Sequence, residues 1–254
     1  MNKFLFIISF LFFTQLNAVE FKGKFIQGHF IIGKTNPNTK IIIDKKKVKV
    51  SKDGYFAFGI EKDRKLDIVI KEGNKTIIKK IQKRKYKVQK IEGLPKKKVT
   101  PPEEFYARIK KENKLIGKAR EIDSDLSFFK DKFIIPVDDA IITGVYGSQR
   151  ILNGIPKWPH YGLDFAQKKG TPIRAVNNGV VTLAEKDLFY TGATLIFDHG
   201  HGISTLYMHM HEIFVNVGDH VKKGDIVATI GTSGRSTGPH LDIRLNWFGT
   251  RLDP

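Results

Sequence analysis

Three short stretches carry residues able to bind a metal and move protons. They are HYGLD, with His160 and Asp164; STLYMHMHEI, with His209 and His211; and GPHLDIRL, with His240 and Asp242. Imidazole nitrogen and carboxylate oxygen both bind Zn²⁺ and related ions. Side-chain direction repeats every second residue on a strand. An extended GPHLDIRL therefore sets His240 and Asp242 on one face as half of a metal site, and the same alternation levels His209 and His211 with Tyr207. A loop or strand end lets His160 and Asp164 reach one ion across four residues. Each spacing alone is weak, because a single histidine on a β face is more often structural; the combination carries the reading. Cysteine is absent, which excludes disulfides, thiolate nucleophiles and cysteine-bound zinc, so a metal here must use His, Asp or Glu.

The elements that must position these residues read as β-structure. From about Phe133 to the end the chain is glycine-rich, with short β runs such as AIITGVYG, ATLIFDHG, ISTLYMHM, DIVATIG and LDIRLNW separated by NNG, DHGHG, VGD and TSG turns. Seven of the eight histidines fall in this part. Residues 19–93 hold runs such as KIIIDKKKVKV, YFAFGI and KTIIKKI, broken by NPN, KDG and EGN, and read as a small antiparallel β-sandwich. Lysines alternating with Ile and Val, as in KKKVKV, read as its solvated face. Between them, residues 94–132 read as a helical linker. Thr100 is the expected N-cap, Glu103 and Glu104 lie in the first turn, and Phe105, Ile109, Leu115 or Ile116, and Ala119 recur at near-helical spacing.

With 254 residues, 41% hydrophobic and 28% charged, the chain can bury one ordinary core and a second small one. The net charge of +18 does not mark the histidine-rich part. Residues 161–254 contain 9 Lys+Arg and 9 Asp+Glu, so the whole surplus lies in residues 1–160. At the N-terminus, MNKFLFIISFLFFTQLNA has a basic Lys3, an apolar run from Phe4 to Phe13 and a small residue, Ala18. That is a secretory signal pattern over residues 1–18, too short to span a bilayer comfortably. It leaves a mature protein with no expected membrane span and no nucleic-acid role.

The order His160-x-x-x-Asp164, Tyr-x-His209 and TSGRSTGPHLD resembles the lysostaphin/LytM-type zinc peptidases of family M23, over roughly Ala140 to Pro254. GTPIRAVNNGVV and VNVGDHVKKGDIVATIGTSGRSTGPHL are similar to further stretches of that family. The resemblance implies a LytM-type open antiparallel β-sandwich over residues 133–254, with a groove and one Zn²⁺ at its floor. His160 and Asp164 fall on two metal ligands, and His209 and His240 on the two catalytic histidines. Most members have a histidine as third ligand where this chain has Asp242, so three arrangements stand: Asp242 as ligand, His240 as ligand with Asp242 behind it, or no metal. Tyr207 either helps hold the reacting group or only packs, and Asn153 lies in a segment that lines the groove in relatives.

The implied activity is hydrolysis of peptide stems or crosslinks of peptidoglycan in the periplasm, as a DD-endopeptidase or DD-carboxypeptidase acting in cell-wall remodelling and cell shape. The alternative is a catalytically inactive LytM-like regulator that activates a cell-wall amidase. VGDHVKKGDIVATIG also resembles half of a biotinyl or lipoyl carrier domain but lacks the lysine such a domain modifies. The order of parts motivates one more expectation, that the N-terminal domain contacts the groove within the same chain.

Overall fold

The computed structural model describes residues 19–92 and 99–254. The signal segment lies outside the described residues. The strands are β1 (Glu20–Lys22), β2 (Phe30–Lys34), β3 (Ile41–Ile43), β4 (Lys46–Val48), β5 (Tyr55–Gly59), β6 (Ile68–Glu72), β7 (Lys75–Lys79) and β8 (Val88–Ile91), followed by the α-helix α1 (Tyr106–Arg120). Next come β9 (Ile141–Gly144), β10 (Gln149–Leu152), β11 (Ile155–Pro156), β12 (Leu163–Ala166), β13 (Pro172–Arg174), β14 (Gly179–Leu188) and β15 (Gly192–Gly200). The chain ends with β16 (Ile203–Met210), β17 (His220–Val221), β18 (Ile226–Thr229), β19 (His240–Trp247) and β20 (Thr250–Leu252).

The N-terminal runs form two antiparallel sheets, ordered β1-β2-β5 and β4-β3-β6-β7. The alternation in these strands turns Ile31, Ile41, Phe56, Phe58 and Ile70 inward, where each is fully buried, while Lys46 and Lys47 stay in water. The same apolar cluster takes in Ile203, Leu245, Trp247 and Leu252 from the C-terminal sheet. Burial of such side chains stabilises by roughly 1.5–3 kcal/mol each, so the two parts share one interior rather than meeting at a polar surface. β8 leaves the sandwich and pairs parallel with β10, with Arg150 opposite Gln89.

The helix expectation holds in kind and fails at its start. Thr100 does not cap it; a 3-10 turn at Glu103–Phe105 leads into α1, and Pro102 before that turn makes no side-chain cap. Gly117 is accommodated, since α1 runs on to Arg120. Of the apolar residues, Ala119 is buried and Ile116 packs with it against Leu183, Leu188, Ile196, Leu206 and Met208, whereas Leu115 is exposed. Among the described residues no helix is long and apolar enough to cross a membrane.

The C-terminal part is built on an eight-stranded sheet, ordered β17-β14-β15-β16-β19-β12-β9, with β20 beside β19. One face, carrying Leu195, Phe197, Tyr207, Leu241 and Ile243, packs against Ile173, Val227 and Ala228 of the second layer formed by β13 and β18, and against Ile230 just beyond it. Period-two alternation sends Asp242 and Arg244 to the opposite face from Leu241 and Ile243.

Candidate metal centre

β12 and β19 run antiparallel in a register that sets Asp164 directly opposite Asp242. Like charges opposite one another on neighbouring strands destabilise a sheet, and both residues are buried, at 7% and 3% exposure. A positive group is therefore required between or beside them. His160, at 2% exposure, is inserted there. Its Nε2 lies 3.0 Å from Asp164 Oδ1 and 3.3 Å from Asp242 Oδ2. The ring is aimed by its backbone: His160 N–H donates to Ser148 O at 2.8 Å and Gly147 N–H donates to His160 O at 2.7 Å. Burial alone would lower the His160 pKa, but hydrogen bonds to the two carboxylates outweigh it and raise it.

His160, Asp164 and Asp242 each offer one donor atom, and these atoms all lie within 4.8 Å of one another. Asp164 Oδ1 is buried and, beyond the His160 ring 3.0 Å away, takes no donor, so its remaining lone pair costs free energy unless something else meets it. One nitrogen and two oxygens are a donor set suited to Zn²⁺ or a harder divalent ion. The residues present thus fit a metal.

Two further histidines flank the three donors. His209 and His240 have ring centroids 4.9 Å apart, and His240 Nε2 lies 4.0 Å from Asp164 Oδ1. In each ring Nδ1 meets a carbonyl oxygen, Ser233 O at 2.8 Å for His209 and Gly238 O at 2.9 Å for His240. A carbonyl only accepts, so Nδ1 carries a hydrogen in each ring and Nε2 is the nitrogen left to face the donors. Burial lowers the His209 pKa to about 4, so this ring is neutral at physiological pH.

The backbone corrects one sequence expectation. Alternation puts Tyr207, His209 and His211 on one face, yet only His209 joins the site. Its φ is +66°, and the β15–β16 register slips between Ala193↔Met210 and Leu195↔Tyr207. An extra residue in one strand is a β-bulge, which re-aims side chains. Tyr207 turns into the core instead; its hydroxyl accepts from Val176 N–H at 2.9 Å and lies 3.2 Å from Arg174 O, to which it donates. His211 is exposed. The TSG turn locks the bulge: Ser233 Oγ accepts from Ala193 N–H and donates to Met210 O, both at 2.8 Å.

Two other singled-out residues lie outside the three-donor cluster. Asn153, at φ +47°, and Gly154 form the turn joining β10 to β11. His199 is fully enclosed, with Nδ1 2.7 Å from Asn178 O and Nε2 2.8 Å from Thr205 Oγ1. Four residues that sequence reasoning passed over also shape the site. Arg244 grips Asp242 through Nη2 to Oδ2 at 2.9 Å and Nε to Oδ1 at 3.2 Å. Arg150 reaches Asp164 Oδ2 at 3.4 Å. Gly144 and Gly162 leave room for the carboxylates, since a Cβ on Gly144 would collide with Asp164 Oδ2 and one on Gly162 with Asp242 Oδ1. Burial opposes ionisation of Asp242, but the Arg244 charge and His160 hold its carboxyl far below the usual carboxylate range.

Residues 158–254 match the model of Peptidase family M23. The chain is 37% identical over 95 residues to the DD-carboxypeptidase/endopeptidase Mpg of Neisseria meningitidis serogroup B, covering 37% of this chain and 22% of that protein. It is 38% identical over 87 residues to the Peptidoglycan DD-endopeptidase ShyA of Vibrio cholerae, covering 34% of this chain and 20% of that protein. The chain thus spans about a fifth of the length of these curated relatives. A solved structure of a peptidase M23 from Pseudomonas aeruginosa shares the fold, at TM-score 0.69 and 24% identity, over 91% of this chain and 93% of that one.

Proposed function

The chain belongs to peptidase family M23 through residues 158–254, and on that premise we propose that it is a zinc-dependent peptidase that hydrolyses peptide bonds of peptidoglycan. His160, Asp164 and Asp242 hold the metal, and His209 and His240 move protons. The observation that carries this reading is the convergence of three buried donors beside two histidines anchored through Nδ1 on carbonyl oxygens. Bound there, Zn²⁺ supplies Lewis acidity that polarises the scissile carbonyl and acidifies water.

The chain's own residues do the rest. His160 and the two carboxylates hold the ion on a rigid sheet, so the reacting groups meet fixed partners. His209, neutral at physiological pH because burial lowers its pKa to about 4, can accept a proton at Nε2. Its Nδ1–H is anchored on Ser233 O, which fixes ring orientation and tautomer. His240 is anchored in the same way on Gly238 O. One of the two takes the proton of the attacking water and returns it to the leaving amine, while the other stabilises the oxyanion when its Nε2 carries a proton.

The names of the relatives support a substrate in crosslinked or terminal D-alanyl stems, as DD-endopeptidase or DD-carboxypeptidase. A signal over residues 1–18 supports action in the periplasm. We take residues 19–93 and 94–132 as an N-terminal domain and linker. The pairing of β8 with β10, next to Arg150, supports contact of that region with the border of the groove. A second reading, an inactive regulator of an amidase, is favoured by one feature: the Asp242–Arg244 pair offers Asp242 a positive partner without metal. Digestion of crosslinked muropeptides with and without a chelator tests the peptidase. Cleavage that stops on chelation and returns with zinc supports it; no cleavage in either condition sinks it.

A further inference from the structure

Two ionised carboxylates would bring two negative charges to the site, yet the protein surrounds them unequally. Arg244 stands two residues beyond Asp242 on β19, so both side chains lie on the same face of the sheet. Its guanidinium takes both carboxylate oxygens, at 2.9 and 3.2 Å. Such a fork is planar, fixed in geometry and always charged. Asp242 Oδ2 still lies 3.3 Å from His160 Nε2, because each carboxylate oxygen has two lone pairs and the arginine uses one. Asp164 also lies beside His160 Nε2, 3.0 Å from its Oδ1, but its arginine contact is one-armed and longer, from Arg150 to Oδ2 at 3.4 Å. The two carboxylates are thus unlike: one sits in an arginine fork, the other meets a single guanidinium arm.

We propose that Arg244 is a positioning residue of the metal centre: it holds Asp242 in one orientation and cancels its charge, so that the site offers a metal one net negative charge rather than two. This rests on the reading of His160, Asp164 and Asp242 as ligands. The consequence is a trade between affinity and reactivity. Without Arg244 a divalent cation would be held more tightly, by the attraction of a second uncompensated carboxylate at close range. The same carboxylate would quench the ion's own positive charge and weaken its action on a carbonyl. Orientation works with charge, since a gripped carboxylate cannot swing away from His160 when the site is empty.

The test is zinc affinity, measured by competition with a chromophoric chelator on the full chain, for wild type, Arg244→Met and Arg244→Lys. Thermal melting of each variant reports folding. Charge cancellation gives Arg244→Met a zinc Kd lower by about tenfold or more, a figure discounted for the partial exposure of Arg244. Arg244→Lys, which keeps the charge and loses the fork, stays within about threefold of wild type on the same reasoning. A merely structural arginine would give the opposite order, with zinc bound more loosely in Arg244→Met, and that result overturns the proposal. If Arg244→Met does not fold, Arg244→Gln removes the charge while leaving a hydrogen-bond donor beside Asp242. A zinc Kd lower by about tenfold in that variant supports charge cancellation, and zinc bound more loosely than in wild type counts against it. Failure of wild type itself to bind zinc is a separate outcome: it removes the metal reading first, and this proposal with it.

Discussion

Gly144→Ala adds one methyl group to the metal centre and nothing else. Gly144 closes β9 opposite Asp164, and its backbone is not in the left-handed region, so alanine is tolerated there without backbone strain. The new Cβ would collide with Asp164 Oδ2 and lie 2.8 Å from Asp164 Cγ and 3.0 Å from His160 Cε1. Either the carboxylate and imidazole yield together or the strands part. Overpacking of this kind costs about 1–3 kcal/mol, and displacing groups that orient a metal costs about 10–100-fold in affinity. Zinc titration beside thermal melting separates the two effects. The expected result is a zinc Kd raised at least about tenfold with a modest loss of melting temperature. Gly117→Ala is the control. Its Cβ meets nothing within 4 Å, and inside α1 it should stabilise by up to about 1 kcal/mol and leave zinc unchanged. Wild-type zinc affinity in Gly144→Ala would refute the assignment of Asp164 and His160 as ligands.

Other expectations follow from the same geometry. Folding lowers the His199 pKa from 6.5 to about 4 by burial. The unfolded chain therefore takes up a proton first, and stability falls as pH drops from about 6.5 toward 4, by up to about 3 kcal/mol. Urea unfolding of wild type and His199→Gln across that range should show a shallower pH slope in the variant, and equal slopes would contradict the assignment. Tyr207→Phe strands Val176 N–H and Arg174 O and should cost about 1–3 kcal/mol of stability with zinc binding and kcat unchanged; a selective loss of kcat would return the tyrosine to the chemistry. His209→Gln and His240→Gln should each lower kcat by about 10²–10⁴-fold while zinc stays bound, and loss of zinc from His240→Gln would make that histidine a ligand instead.

The parts of this protein legible in its sequence were those set by local periodicity and residue type. HYGLD and GPHLD named the donors, because imidazole and carboxylate chemistry is visible in single residues and a strand repeats every second position. What they could not reveal was that Asp164 and Asp242 face each other. That register is fixed by β12 and β19, whose residues lie far apart in the chain. Arg244 was passed over for a related reason: an arginine two along from an aspartate reads as ordinary alternation until the pair is seen buried in a fork. His209 was found by type and misread by face, since the bulge with its φ of +66° depends on hydrogen bonds from the distant TSG turn. The helix was readable from spacing, but Thr100 lost its capping role because the prolines let a 3-10 turn start the segment.

The central claim is that His160, Asp164 and Asp242 hold a metal used for peptide hydrolysis. Metal content and cleavage of crosslinked muropeptides, measured on wild type beside Asp242→Ala and Asp242→His, test it most directly. The expected result is about one zinc per wild-type chain with cleavage, loss of both in Asp242→Ala, and retained metal in Asp242→His. Wild type free of zinc and inactive, with zinc appearing only in Asp242→His, would contradict it and turn the search toward a partner amidase.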